Sequence, residues 1–149
     1  MTGVEAEESG RELLVIDTHV LIWLMFGDDR LGGRARGRID LAAKADGLLV
    51  SAITPWEIGV LVSKKRIDLQ RDVMVWVRDA LAMPGVTLAA LEPEIAVEST
   101  RLPFTMHPDP ADRILVATAR HLGAALVTAD RRLLQLSKQG RFKALDAAK

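Results

Sequence analysis

Three short runs of wholly apolar residues, Leu13-Leu14-Val15-Ile16, Leu48-Leu49-Val50 and Ala125-Leu126-Val127, constrain the fold more than any other feature of the chain. A strand with one face in water alternates apolar and polar residues, whereas a strand covered on both faces is apolar throughout. Each run is cut off by a polar residue and followed by a helical pattern. Asp17-Thr18 precedes Val20, Leu21, Trp23 and Leu24, Ser51 precedes a helix opening at Thr54, and Thr128 precedes another opening at Asp130. Buried strands alternating with helices define an α/β domain, here a three-layer α/β/α sandwich with a mostly parallel sheet of four or five strands.

Capping chemistry marks the helix ends. Thr54-Pro55-Trp56-Glu57 offers Thr as N-cap, Pro at the first helical position and Glu at the third, and Lys64-Lys65-Arg66 closes that helix. Asp109-Pro110-Ala111-Asp112 repeats the pattern and opens a helix through Leu122, stopped by Gly123. Asp72 to Ala82 reads as an amphipathic helix, Val86-Thr87-Leu88 as a third strand, Glu94 to Thr100 as a short helix, and Phe142 to Leu145 as an edge strand. Gly27 to Gly37 reads as a loop before an Arg-rich helix. Residues 1–11 are small, polar and acidic without periodicity, the pattern of a flexible tail, which leaves one domain over 12–149.

Composition removes several classes of function. Without cysteine the chain has no disulfide, no thiolate zinc site and no Cys nucleophile. The longest wholly apolar run, Val20 to Phe26, is far short of the ~20 residues that cross a bilayer. The acidic start MTGVEAEESG lacks the basic and apolar regions of a secretory signal, so a cytoplasmic protein with no membrane partner is expected. Twenty basic and 20 acidic residues cancel, which is not the balance of a strongly basic nucleic-acid binder. Setting aside three tail acids and the four discussed next, however, thirteen acids face those 20 basic residues.

In open parallel sheets, ligands bind beyond the carboxyl ends of the strands. Asp17 and Asp130 fall there directly, Glu57 lies in the helix after the second run, and Asp112 opens the helix leading into Ala125-Leu126-Val127. Each acid has a capping role available to it. As a group they do not make a good set of caps, because two carboxylates ~5 Å apart at an effective dielectric of ~20 repel by roughly 3 kcal/mol. A divalent cation relieves that repulsion, and oxygen-only donors fit Mg²⁺ or Mn²⁺ rather than zinc. Such an ion supports phosphodiester hydrolysis with an activated water as nucleophile.

LLVIDTHVLIW, SAITPWEI, HPDPADRILVATA and ALVTAD together resemble the PIN domain of VapC-type toxins, in order and spacing, from Glu12 onward. That resemblance implies a metal-dependent endoribonuclease. Asp17 and Asp112 would be its main metal ligands, Glu57 and Asp130 would complete the pocket and orient water, and Thr128 would be a neighbouring polar group. It also implies a homodimer and a cognate antitoxin laid across the pocket. The apolar stretch Val20 to Phe26 is read either as core or as such a partner surface.

The remaining candidates are weaker. Asp109 reads as a helix cap, or as an acid supporting the site. Arg113, Arg131 and Arg132 adjoin the site acids and are candidates for phosphate contact, while Arg34, Arg36 and Arg38 fit an RNA-backbone track and a solvated helix face equally well. His19, His107 and His121 lack metal-ligand spacing, and His19 reads as structural. The alternative to an enzyme is a non-catalytic PIN-like or receiver-like module. A receiver wants paired acids after the first strand, an acceptor Asp after the third and a late Lys. Asp17-Thr18, Ala89-Ala90 and Asp130 stand in the corresponding places.

Overall fold

The computed structural model describes residues 11–149, so the expectation for the tail falls outside the described residues except at Arg11, which is exposed. Five strands form one sheet in the order β3-β2-β1-β4-β5, every pair parallel. They are β1 Leu14–Ile16, β2 Leu48–Ser51, β3 Val86–Ala89, β4 Ala125–Thr128 and β5 Lys143–Asp146. Seven helices connect them among the described residues: α1 Thr18–Phe26, α2 Gly33–Lys44, α3 Ile53–Ser63, α4 Val73–Leu81, α5 Pro93–Thr100, α6 Pro110–Leu122 and α7 Arg131–Ser137.

The central strands are apolar throughout because successive side chains enter two different cores. Leu14, Ile16, Leu48, Val50, Ala125 and Val127 pack with α1–α4 on one face. Val15, Leu49 and Leu126 pack with α5, α6 and α7 on the other. Burying each such Val, Leu or Ile contributes ~1.5–3 kcal/mol. At the edge, β3 is only partly covered, and Leu88 is 47% exposed.

Local chemistry sets most of the helix ends. Asp109 caps α6 by accepting the Asp112 N–H at 3.1 Å, and Gly123 ends it in the left-handed region at φ 64°. Asp72 caps α4 and Asp130 caps α7 in the same way. Gly85, at φ 81°, turns the chain into β3, and a Cβ there would lie 1.9 Å from the Ala43 carbonyl oxygen.

Two helix starts differ from the sequence expectation. The loop after α1 ends at Gly32 rather than Gly37, because Ala35, Ile39 and Ala42 form a buried stripe that carries α2 back to Gly33. The Lys149 carbonyl oxygen accepts the Arg34 N–H at 3.0 Å, supplying a partner that no local side chain provides. Helix α3 begins at Ile53, whose N–H donates to Ser51 Oγ at 3.2 Å, so Thr54 lies inside the first turn and is not its cap.

Candidate active site

The strand order reverses between β1 and β4, since the chain leaves β1 toward β2 on one side and enters β4 on the other. Such a switch opens a crevice at the carboxyl ends of the strands. Asp17 stands at its lip. The Asp17 N–H donates to the Val127 carbonyl at 3.0 Å, which fixes the backbone across the switch. Its Oδ1 accepts the Thr18 N–H at 2.6 Å, and its Oδ2 accepts the Thr128 hydroxyl at 2.7 Å. Thr128 is fully buried, and its Oγ1 accepts the Asp130 N–H at 3.0 Å. A continuous hydrogen-bonded chain thus joins Asp17, Thr128 and Asp130.

Asp130 divides its carboxylate between two tasks. Oδ1 caps α7 through the Arg132 and Leu133 N–H groups at 2.8 and 3.3 Å, while Oδ2 lies 3.6 Å from the Arg132 guanidinium. The same Arg132 nitrogen stands 4.0 Å from Asp112 Oδ2. Arg132 therefore bridges two acids from different helices, in keeping with a group that counters charge at the rim.

Glu57 reaches the site from α3. Its Oε1 accepts the Thr18 hydroxyl at 2.6 Å, and Thr18 Oγ1 lies 3.2 Å from Thr54 Oγ1. The tetrad expected to cap a helix instead directs Thr54 and Glu57 to a residue 36 and 39 positions away. Burial pushes the Glu57 carboxyl up to about 7. The Thr18 hydrogen bond opposes this, and the charges of Asp17, Asp112 and Asp109 add to it.

Asp112 enters from the first turn of α6. Its Oδ2 lies 2.7 Å from His107 Nε2, with both side chains largely buried. Burial raises its carboxyl, the His107 hydrogen bond lowers it, and Asp109 and Asp130 raise it further. Burial also raises the Asp17 carboxyl, with the Asp112 charge adding to it and the Thr128 and Thr18 hydrogen bonds opposing.

Each of these three carboxyls is raised first by burial, and each feels at least one of the other site acids. Asp17, Glu57, Asp112 and Asp130 therefore share one electrostatic environment, with Asp109 at its margin. Among the described residues, no three His, Cys, Asp or Glu side chains stand close enough to hold an ion by themselves. Mg²⁺ is characteristically held by one or two carboxylates, with water and substrate phosphate in its other positions. Oxygen donors, incomplete ligation and mutual repulsion fit that ion.

Several other expected residues lie elsewhere or do other work. Arg113 is turned away from the acids and donates to the carbonyls of Ser99 at 2.8 Å and Met106 at 3.4 Å. Arg38 pairs with Glu12, just ahead of β1 and so at the opposite end of the sheet. His19 is exposed rather than packed, near enough to Asp17 for its charge to lower that carboxyl slightly. His121 is 3.8 Å from Glu92. Thr18 and His107 were not singled out from sequence as site residues. Thr18 could have been found from its place beside Asp17, whereas His107 lacks any spacing that marks a ligand.

A buried parallel sheet with clustered carboxylates at the β1/β4 switch defines a class of acid-centred α/β domain. The PIN domain family model matches residues 14–139, and the chain belongs to that family. It is 35% identical over 120 residues to Ribonuclease VapC22 of Mycobacterium tuberculosis (strain ATCC 25618 / H37Rv), covering 80% of this chain and 88% of that protein. The fold is similar to a chain in the crystal structure of VapBC2 from Rickettsia felis bound to a DNA fragment from their promoter. The TM-score there is 0.65 at 13% identity, over 89% of this chain and 97% of that one.

Proposed function

We propose that this chain is a metal-dependent endoribonuclease of the VapC toxin kind, which hydrolyses RNA phosphodiester bonds with water as the nucleophile. The similarity to a ribonuclease over 80% of the chain supports the substrate class. The observation that carries the chemistry is the set of partly buried carboxylates at the switch point, Asp17, Glu57 and Asp112, oriented there by Thr128, Thr18 and His107. Mg²⁺ or Mn²⁺ bound there would supply charge neutralisation and a water of lowered pKa.

This chain's own groups do the rest. Asp17 and Asp112 are the residues that would hold the ion; Thr128 and Thr18 fix the first carboxylate and His107 the second. Glu57, with its carboxyl near 7, suits proton transfer at neutral pH and is oriented by Thr18. Asp130 and Arg132 complete the rim, with Arg132 placed to meet a phosphate oxygen.

Partners are part of the same proposal. Phe26, Trp56, Met74 and Val75, on α1, α3 and α4, are between 46% and 61% exposed. Trp56 adjoins Glu57 in sequence, so a protein covering it lies beside the site. A second copy of the chain and an antitoxin are the proposed occupants, and the structural similarity to a VapBC2 complex supports the second.

The test is cleavage of a labelled RNA pool by purified protein with Mg²⁺, Mn²⁺ or EDTA, alongside Asp17→Asn. Cuts that require metal and vanish in the variant are expected. Intact RNA throughout, with Mn²⁺ binding shown separately, would favour a PIN-like module that binds without cutting. Cuts that persist in the variant would trace to another nuclease.

A further inference from the structure

The loop 101–109 and the first turn of α6 are clasped by two neighbouring residues. Arg113 reaches back across this segment, its Nε donating to Ser99 O in the last turn of α5 at 2.8 Å and its Nη1 to Met106 O in the loop at 3.4 Å. Asp112 receives from the loop in return, since His107 Nε2 lies 2.7 Å from its Oδ2. Met106 and His107 are consecutive, as are Asp112 and Arg113, so the two contacts form a reciprocal clamp. Pro103, Pro108 and Pro110 stiffen the segment by fixing φ. Phe104 anchors it, stacked on Phe142 at 6.2 Å with the Arg120 guanidinium 5.4 Å above its ring.

The His107 and Asp112 side chains are only 16% and 14% exposed, so water competes little for their hydrogen bond. The Asp112 backbone N–H is committed to Asp109, and the carboxylate Oδ2 faces His107 and, at 4.0 Å, Arg132. A carboxylate with one oxygen occupied in this way has a defined orientation and offers the other oxygen as donor. Groups of this type, behind a ligand, hold it in place and tune metal affinity.

We propose that His107 is the positioning residue for Asp112, donating Nε2–H to Oδ2 so that Oδ1 is held ready for the divalent cation, with Arg113 bracing the loop that carries it. This rests on the metal-dependent reading above. Arg113, expected from sequence to meet substrate, acts here on the frame around the site.

The experiment is calorimetric titration of Mn²⁺ into the parent chain, His107→Leu, His107→Gln, Asp112→Asn and the double variant His107→Leu/Asp112→Asn. Circular dichroism melts without metal report folding. His107→Leu is expected to weaken Mn²⁺ binding about 10- to 100-fold. His107→Gln, which retains an N–H donor, should recover part of that loss. In the Asp112→Asn background, His107→Leu should cost nothing more. At saturating Mn²⁺, cleavage by His107→Leu should lose kcat while KM for RNA stays within twofold.

Mn²⁺ affinity of His107→Leu within twofold of the parent would overturn the inference and leave the ribonuclease reading standing. The same holds for a loss of equal size in the Asp112→Asn background, which would mean a general structural effect. If His107→Leu is unfolded, His107→Gln carries the test, and failure to bind more tightly than Asp112→Asn counts against the proposal. A parent chain that binds no Mn²⁺ refutes the metal reading itself, and the role of His107 falls with it.

Discussion

The Glu57 carboxyl provides the sharpest quantitative test of the site's electrostatics, because Glu57→Gln removes its charge while keeping its shape and an oxygen to accept the Thr18 hydroxyl. Its pKa rises from 4.5 to about 7 on folding, chiefly through burial. Between those values the folded protein holds a proton that the unfolded chain has released, so stability is greatest below 4.5 and falls as pH rises through 7. Fully realised, the difference is worth ~3 kcal/mol. Glu57 is partly open to solvent, and with that screening ~1–2 kcal/mol is the appropriate figure.

The assay is thermal unfolding of metal-free protein in EDTA at pH 5 and pH 8, parent against variant. At pH 5 the two should nearly coincide, because the parent carries a neutral Glu57 there. At pH 8 the variant should melt higher by ~3–6 °C, given the usual scaling for a domain of this size. An equal difference at both pH values would refute the reasoning, as would a less stable variant at pH 8. The first would mean that Glu57 does not change protonation between pH 5 and pH 8, and the second that the Thr18 hydrogen bond to the carboxylate outweighs the cost of burial.

Three further outcomes are expected. Asp112→Asn should raise the metal-free melting temperature at pH 8, since burial and the Asp109 and Asp130 charges oppose its ionisation, and should weaken but not eliminate the stabilisation that Mg²⁺ confers; a lower melting temperature would show that the acid serves α6 instead. Thr128→Val should cost about 1–3 kcal/mol in urea unfolding, because the buried hydroxyl serves both Asp17 and the Asp130 N–H, and the same variant should weaken Mn²⁺ binding. Gly85→Ala should destabilise by ~2–4 kcal/mol in the same assay without changing Mn²⁺ affinity, since both its positive φ and the Ala43 carbonyl exclude a Cβ.

Much of the fold is legible in the sequence where the deciding interactions are local. The α6 helix is readable at both ends because Asp109 bonds three residues ahead and Gly123 adopts the conformation that favours glycine. The three apolar runs are readable because burial on both faces requires them. Thr54 is misread as a cap because its partner, Thr18, is distant in sequence and invisible to a local pattern. The start of α2 is displaced for a similar reason, since glycines 33 and 37 have poor helix propensity and tertiary packing overrides it. At the site, the acids could be located because each follows a strand or opens a helix. His107 and the true direction of Arg113 depend on how the loop 101–109 folds back over α6, which no spacing encodes.

The strand order also has a consequence in time. The central strand β1 emerges from the ribosome first, yet Asp17 is held by Thr128, 111 residues later. At ~5–20 residues per second, a growing chain waits about 6–22 s between making the first acid and making the hydroxyl that holds it. A chain released between Asp112 and β4 carries Asp17, Glu57 and Asp112 but lacks both Thr128 and Asp130. On the proposed mechanism such a chain holds Asp17 without its Thr128 hydrogen bond and a rim without Asp130, so products truncated there are expected to leave RNA intact.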